Sequence, residues 1–168
     1  MRAHRAGRLL KDKIKSVRAL EQIVARLKTG GKRVVFTNGC FDILHLGHAR
    51  YLESARRKGD VLIVAVNSDA SIKKIKGPSR PIIQERNRAG LLAALESVDY
   101  VVLFNEETPL AVIKALSPDI LIKGADWSKD AIVGADFVKC RGGKVATIPL
   151  VRGLSTTTIL KTIAKRCP

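Results

Sequence analysis

The stretch that decides the fold reads Thr37-Asn-Gly-Cys-Phe-Asp-Ile-Leu-His-Leu-Gly-His48. This stretch follows an apolar run at 34–37 and leads into residues 47–58. Residues 47–58 predict a helix, which ends at the following glycine. Gly39 and Gly47 let the backbone adopt shapes in which an anion can approach it closely. Because free backbone N–H groups and the helix dipole both point at such a junction, the stretch predicts a phosphate site.

Outward from this stretch, short apolar runs alternate with helical stretches. The runs that predict strands are 34–37, 61–66, 100–104, 120–123 and 145–150. The stretches that predict helices are 47–58, 84–96, 109–116, 130–141 and 155–166. Most of the runs are rich in β-branched or aromatic residues and lack clean alternation, as expected for strands covered on both faces. The order predicts a single Rossmann-like α/β domain, with a parallel sheet of about five strands and helices on both faces.

An amphipathic helix is predicted ahead of the sheet. Its apolar residues recur at three- and four-residue steps and stop at a pair of glycines: Val17, Leu20, Ile23, Val24, Leu27, then Gly30 and Gly31. Residues 1–11 lie outside this pattern and are expected to form a flexible basic tail. Residues 12–168 are then expected to form one domain, because 168 residues with 46% hydrophobic content suit one core.

The longest strongly apolar run, Val61–Val66, is far shorter than the roughly 20 residues that a membrane span needs. The first fifteen residues are basic and carry no apolar segment of the secretory kind, so a cytoplasmic location is expected. Three cysteines at wide spacing fit neither a disulfide framework nor a CxxC metal pair, which favours reduced thiols.

The net charge of +16 calls for an anionic partner. Nine basic and two acidic residues fall within positions 1–30. Binding to nucleic acid is one hypothesis, but only 4% of the residues are aromatic and no stripe of alternating aromatic and basic residues is present. We therefore expect small anionic substrates and no nucleic acid.

His45 and His48 stand one helical turn apart, so both rings can face one phosphate. A zinc site made of Cys40, His45 and His48 is the alternative. It is disfavoured because no fourth ligand lies at a usual spacing.

The stretch from Thr37 to His48 resembles the first signature of the HxGH nucleotidyltransferases, the cytidylyltransferase-like superfamily. Gly153-Leu-Ser-Thr-Thr157, near the end of the chain, resembles the second. Within that superfamily the chain is most similar to the adenylyltransferase domain of bacterial heptose enzymes, from about residue 14 to residue 163. The interior segments that carry this similarity are Asn67–Asp69, Lys73, Lys76–Gly77, Ser79–Pro81, Glu85–Arg86, Val98–Tyr100 and Lys123–Asp126.

The resemblance implies transfer of AMP from ATP to D-glycero-β-D-manno-heptose 1-phosphate, giving ADP-heptose and pyrophosphate for the lipopolysaccharide inner core. It implies ATP as a Mg²⁺ complex, with the protein's own metal contact unknown. It also implies the stand-alone form, because 168 residues leave no room for a sugar-kinase domain. Two alternatives remain: a CTP-dependent enzyme acting on a small phosphorylated alcohol such as glycerol 3-phosphate, and a basic nucleic-acid-binding protein. Homodimers or larger homo-oligomers are left open.

The resemblance also implies roles for individual residues. The catalytic residues would be His48, His45, Arg86 and Lys76. The nucleotide-binding residues would be Thr37, Asn38, Gly39, Cys40, Phe41, Gly47, Lys123, Ser155, Thr156 and Thr157. The residues that bind the sugar phosphate would be Asp42, Lys73, Arg80 and Asp126.

Several of these residues have a purely structural role as the alternative. Ser155 is also a candidate N-cap, and Asp42 a candidate Asx turn or N-cap. The basic residues from Lys73 to Arg86 could form a solvated face. We expect that segment to be a loop stiffened by Pro78 and Pro81 rather than a regular helix.

Overall fold

The computed structural model describes residues 9–126, 131–151 and 153–166. The helices are α1 (Leu10–Lys13), α2 (Val17–Thr29), α3 (Leu46–Arg56), α4 (Asp69–Lys76), α5 (Glu85–Ala94), α6 (Leu110–Leu116), α7 (Ala135–Cys140) and α8 (Thr156–Arg166). The strands are β1 (Val34–Gly39), β2 (Val61–Asn67), β3 (Tyr100–Phe104), β4 (Ile120–Gly124) and β5 (Lys144–Ile148).

All five strands are parallel, in the order β3-β2-β1-β4-β5, which confirms the predicted sheet. Every residue of β2 is buried, and so are the first four of β1. Both faces of these strands are therefore covered, which explains why their sequences are continuously apolar instead of alternating.

Two apolar clusters sandwich the sheet. On one face α2, α6 and α7 pack over β-strand side chains that include Phe36 and Ile63. On the other face α3 and α5 pack over Val35 and Leu62, the sequence neighbours of those two residues. Side chains of adjacent residues in a strand thus pack into clusters on opposite faces of the sheet, as the alternation of a pleated strand requires.

Helix α2 confirms the predicted apolar stripe. Leu20 is fully buried and Val24 is 3% exposed. The hydroxyl of Ser16 caps the helix by accepting from the N–H of Ala19 at 3.2 Å, and Gly30 closes it by donating to the carbonyl of Arg26. The helix is therefore part of the domain core, as its periodicity indicates.

The chain ahead of α2 differs from the expectation of a simple tail. Residues 10–13 form the short helix α1, and Ile14 makes a parallel bridge with Val101 on the outer edge of β3. Lys13 also donates to the carbonyl of Leu95 at 3.0 Å. Residues 1–8 of the expected tail lie outside the described residues.

Two helices differ from their predicted extents. Residues 73–76, predicted as the start of an irregular loop, belong to α4, whose first turn is capped by the hydroxyl of Ser68 accepting from the N–H of Ser71. The irregular segment is confined to residues 77–84. Helix α7 begins only at Ala135, since Gly134 before it has a φ of 85°.

The strand order fixes where a ligand can bind. The chain moves outward from β1 to β2 and β3, then returns to place β4 on the other side of β1. The loops that leave β1 and β4 therefore diverge, which opens a crevice at the carboxyl ends of these strands.

No helix among the residues that the structure describes is long and apolar enough to cross a bilayer.

Replacing Leu20 by alanine tests the packing of α2. Because this side chain is fully buried against the sheet, we expect Leu20→Ala to lower the free energy of unfolding by about 2–5 kcal/mol. Gln22→Ala, on the exposed face of the same helix, should change it by less than about 0.5 kcal/mol. Urea denaturation of both variants makes the measurement, and equal effects would contradict the assigned packing.

Candidate active site

A cleft of about 500 Å³ opens at the carboxyl ends of β1 and β4. It is lined by the turn after β1, the first turns of α3 and α8, the end of α4 and the loops after β3 and β4. Most residues singled out from the sequence meet here: Asn38, Gly39, Cys40, Phe41, Asp42, His45, Gly47, His48, Lys76, Arg80, Lys123, Asp126, Ser155, Thr156 and Thr157. The two sequence motifs thus form one site although more than a hundred positions separate them.

Three of the predicted residues do not line this cleft. Thr37 is buried beneath it, where its hydroxyl is hydrogen-bonded to that of Tyr51 at 2.8 Å. Burial raises the pKa of the Tyr51 phenol to about 12, so this pair stays neutral. Lys73 and Arg86 are exposed on α4 and α5. These two side chains point to solvent in the structure, which favours the solvated-face alternative for them.

The two histidines form a stacked pair. Their ring centroids are 3.8 Å apart with an interplanar angle of 20°, and the ring of Phe41 meets that of His48 edge-on at 5.2 Å. A Cβ at Gly47 would lie 2.9 Å from two atoms of the His45 ring. A side chain at position 47 would therefore displace the His45 ring, which is a further reason for glycine here beside the predicted approach of a phosphate.

The turn after β1 has a constrained backbone. Phe41 has a φ of 45°, in the left-handed region that non-glycine residues rarely adopt. A Cβ at Gly39 would lie 3.0 Å from the Phe41 ring. The turn is therefore locally strained, and the ring of Phe41 packs on Gly39. Strained backbone of this kind is common in segments that bind a ligand.

Both histidines are neutral at pH 7. Burial lowers the pKa of His45. The pKa of His48 is lowered to about 4, chiefly by burial and further by electrostatic repulsion from His45 and Lys76. Each neutral ring offers one N–H donor and one nitrogen acceptor.

Four buried side-chain atoms have no hydrogen-bond partner within the described residues: Asn38 Oδ1, His45 Nδ1, His48 Nδ1 and Arg80 Nε. All four residues line the cleft. Leaving a buried polar atom unpaired costs about 1–3 kcal/mol, so their concentration in one place indicates a site built around a polar ligand.

Three of the described residues that line the cleft have cationic side chains. Lys123 extends from β4 and donates to the carbonyl of Asn38 at 3.4 Å. Burial lowers its pKa to about 8, although the nearby carboxylate of Asp126 opposes this shift. Lys76 at the end of α4 and Arg80 in the following loop complete the set. Such a group of cations favours a polyanionic ligand.

Asp42 also makes contacts that neither predicted role includes. Its side chain is almost fully buried and accepts the N–H groups of Ile82 and Ile83 at 2.8–3.0 Å. It also pairs with the guanidinium of Arg80 at 2.7 Å. The carboxylate therefore anchors the 77–84 loop against the turn and holds Arg80 at the cleft.

Two helix N-termini point into the cleft. Helix α3 begins after His45, whose side chain makes no capping hydrogen bond. Helix α8 is capped by Ser155, whose hydroxyl accepts from the N–H of Thr158 at 3.0 Å, as the N-cap alternative predicts. Because each helix N-terminus carries partial positive charge, both ends stabilise an anion placed between them.

Sequence reasoning missed the apolar side of the cleft. Ile75, Leu150 and Leu154 line it, and each is at least 38% exposed. The available sequence signal was the position of Leu150 and Leu154 just before and within the Gly153–Thr157 motif. Glu107 and Thr108 also line the cleft, and their position just after β3 could have indicated this. The described residues contain no group of three or more His, Cys, Asp or Glu side chains placed to hold a metal ion.

A parallel α/β sheet with an HxGH turn and a serine-capped helix around one cationic cleft defines a nucleotide-binding transferase. Residues 36–160 match the cytidylyltransferase-like family. The chain belongs to this family of nucleotidyltransferases, which confirms the resemblance drawn from its motifs.

Curated relatives agree with this assignment. The bifunctional protein HldE of Trichlorobacter lovleyi is 52% identical over 155 residues, which are 92% of this chain and 32% of that protein. The bifunctional protein HldE of Magnetococcus marinus is 54% identical over 153 residues, covering 91% and 31%. The chain therefore spans about a third of the length of these relatives.

Two solved structures are similar in fold. The lipopolysaccharide core biosynthesis protein of Thermoplasma volcanium has a TM-score of 0.60 and 32% identity, covering 72% of this chain and 98% of that one. Pantoate-beta-alanine ligase of Francisella tularensis has a TM-score of 0.61 and 18% identity, covering 91% and 76%. The second likeness is one of fold alone.

The neutral state of His48 is open to direct measurement. Because its pKa is lowered to about 4, we expect the ring resonances of His48 in ¹H–¹³C NMR spectra to stay unshifted between pH 8 and pH 5. His48→Gln assigns the signal. His45→Gln removes the neighbouring titratable ring, whose protonated form repels a proton on His48, and should raise the midpoint. A midpoint near 6.5 in the unmodified protein would contradict the described burial.

Proposed function

We propose that the protein transfers AMP from ATP to D-glycero-β-D-manno-heptose 1-phosphate, with release of pyrophosphate. The observation that carries this proposal is the set of four unpartnered buried atoms on Asn38, His45, His48 and Arg80 around one cleft. A nucleoside triphosphate offers acceptor oxygens on its phosphates and donor hydroxyls on its ribose. It can therefore satisfy donors and acceptors together.

The triphosphate would lie between the N-termini of α3 and α8. There His45 and His48 would donate to phosphate oxygens, and Thr156 and Thr157 would present the first N–H groups of α8. Placing the anion beside Lys123 would raise the lysine's lowered pKa again, since a negative neighbour favours the charged form. Binding would thus compensate the buried lysine and the unpartnered polar atoms of the cleft.

The chemistry would be in-line attack by an oxygen of the sugar phosphate on the α-phosphorus of ATP. A phosphate monoester has its second pKa near ~6, so the nucleophile is already an anion at neutral pH and needs no general base. The protein must align two anions and stabilise the charge that develops in the transition state. Histidine donors, helix N-termini and the three cations match that requirement.

His48 is the residue we assign to the transferring phosphoryl group. Its ring is held by the stack on His45 and by the edge of Phe41, so its direction is fixed before substrate binds. A donor that needs no reorganisation during reaction contributes more to the rate than a mobile one. Arg80, held by Asp42, would meet the phosphate of the second substrate.

Mg²⁺ fits this site as part of the nucleotide complex. Among the residues that the structure describes, the carboxylates that line the cleft belong to Asp42, Glu107 and Asp126, and that of Asp42 is bound by the 77–84 loop. Glu107 and Asp126 could hold the metal or its water ligands, with most coordination coming from phosphate oxygens. When bound, the ion would neutralise charge on the phosphates.

The nucleobase would pack on the apolar side formed by Ile75, Leu150 and Leu154. The larger ring of adenine covers more of such a surface than cytosine does, which favours ATP over CTP. The description of the Thermoplasma volcanium relative as a lipopolysaccharide core biosynthesis protein favours a sugar phosphate as acceptor. A cytoplasmic location, where ATP is abundant, belongs to the same proposal.

Pyrophosphate release with a panel of substrates tests the proposal. We expect turnover with ATP and the heptose 1-phosphate in Mg²⁺, loss of turnover in excess EDTA, and at least about tenfold lower kcat/KM with CTP. Glycerol 3-phosphate with CTP is the competing pair. Preferred turnover of that pair would replace the proposed substrates, and absence of turnover with every pair would contradict the reaction class.

Substitution of His48 tests its role. If the ring stabilises the transition state more than the ground state, His48→Ala should lower kcat about a hundred- to a thousandfold and change the nucleotide Kd much less. His48→Asn, which keeps a donor, should retain more activity. Single-turnover product formation is measured beside nucleotide titration. A raised Kd with an unchanged rate at saturation would make His48 a binding contact instead.

A further inference from the structure

Arg88 is the largest fully buried side chain among the described residues. It lies on α5, and its side chain has no measurable exposure. A cation in such a place is strongly destabilising unless hydrogen bonds and an opposite charge compensate it. The sequence motifs do not account for this arginine, and it does not line the cleft.

The guanidinium has partners on four separate pieces of the chain. Its Nε donates to the carbonyl of Ile83 at 2.8 Å, and Nη1 donates to the carbonyl of Cys40 at 2.6 Å. Its Nη2 donates to the carbonyl of Asn67 at 2.9 Å and to Oδ1 of Asp69 at 2.7 Å. One side chain therefore joins the turn after β1, the end of β2, the start of α4 and the 77–84 loop.

Together with Asp42, this arginine closes a ring of hydrogen bonds. The Asp42 carboxylate accepts the N–H of Ile83, and Arg88 holds the carbonyl of that same residue. The other end of the ring is the turn itself, because Arg88 also holds Cys40, two residues before Asp42. The turn and the loop are thus tied twice, and Arg80 is attached to the shared carboxylate.

We propose that Arg88 is a positioning residue for the reaction. It acts through other groups: it fixes the phosphate-binding turn relative to the loop that carries Arg80, without contact to substrate. This inference rests on the proposed function for its kinetic consequences, whereas its structural consequence is independent of any substrate.

Lysine cannot replace arginine in this position. Four acceptors surround the guanidinium in different directions, which suits a planar group with five donors fixed in place. An ammonium group has three donors on one atom. Arg88→Lys therefore keeps the charge and loses some of the four connections. We expect kcat/KM for the sugar phosphate to fall roughly ten- to a hundredfold, as small displacements of positioned groups can cost this much.

Arg56 provides a matched control. It also forms an ion pair, with Asp99 at 2.8 Å, in which the Arg56 side chain is 28% exposed and that of Asp99 2%. It lies in the last turn of α3, at the opposite end of that helix from the cleft. Arg56→Lys should lower Tm, as Arg88→Lys does, yet leave kcat/KM within about twofold, since it alters no group of the site.

A double-mutant cycle separates positioning from general stability. If Arg88 acts through Arg80, Arg88→Lys should lower kcat/KM by a smaller factor in an Arg80→Ala background than in the unmodified protein. The effect of Arg56→Lys on kcat/KM should be the same in both backgrounds. Full additivity of the Arg88 and Arg80 losses would overturn the inference. Equal kinetic losses in the Arg88 and Arg56 variants would also overturn it.

Hydrogen exchange tests the structural part without any substrate. We expect the N–H groups of Ile82 and Ile83 to exchange at least tenfold faster in Arg88→Lys and unchanged in Arg56→Lys. If Arg88→Lys does not fold, Asp69→Asn, which weakens the same network, takes its place with the same expectation. Unchanged exchange at these amides overturns the inference. If the unmodified protein is inactive but the exchange rates of the variants are as expected, the proposed function is contradicted and the positioning role of Arg88 is not.

Discussion

The central position of β1 in the sheet is the constraint on which the site depends. Because β2 and β4 flank it and apolar clusters cover both its faces, the position of this strand is fixed, and so is the position of its carboxyl end. Its carboxyl end is the point where the connections diverge, so the turn that follows it opens into a crevice. Helices α3 and α8, far apart in sequence, place their N-termini at that crevice.

Burial shapes the chemistry of the site as strongly as charge does. The cleft holds cations, yet its histidines are neutral, because each buried ring loses hydration that would stabilise a positive charge. Unpartnered polar atoms add to this cost. A triphosphate would supply negative charge and hydrogen-bond partners at once. The proposed nucleotide would therefore offset both the buried histidines' lost hydration and the unpartnered atoms.

Periodicity and motifs in the sequence were enough to predict the sheet, the stripe of α2 and most of the cleft. Periodicity and motifs do not predict contacts between residues that are far apart in the sequence. Arg86 and Arg88 lie two positions apart, which turns them by about 200° on a helix, and only the packing of α5 on the sheet decides which one is buried. Asp42 has its partners some forty residues away, so the loop anchor was not predictable. Helix α4 was missed because its basic last turn and the following Pro78 resemble a loop.

The most direct test of this account is a crystal structure with Mg²⁺ and an ATP analogue whose α,β-bridge is not hydrolysable. We expect its triphosphate between the N-termini of α3 and α8, with oxygens about 3 Å from ring nitrogens of His45 and His48. The base should lie against Leu150 and Leu154. A nucleotide bound elsewhere, or histidine nitrogens still without partners in the complex, would contradict the claim that these buried groups exist to hold a polyphosphate.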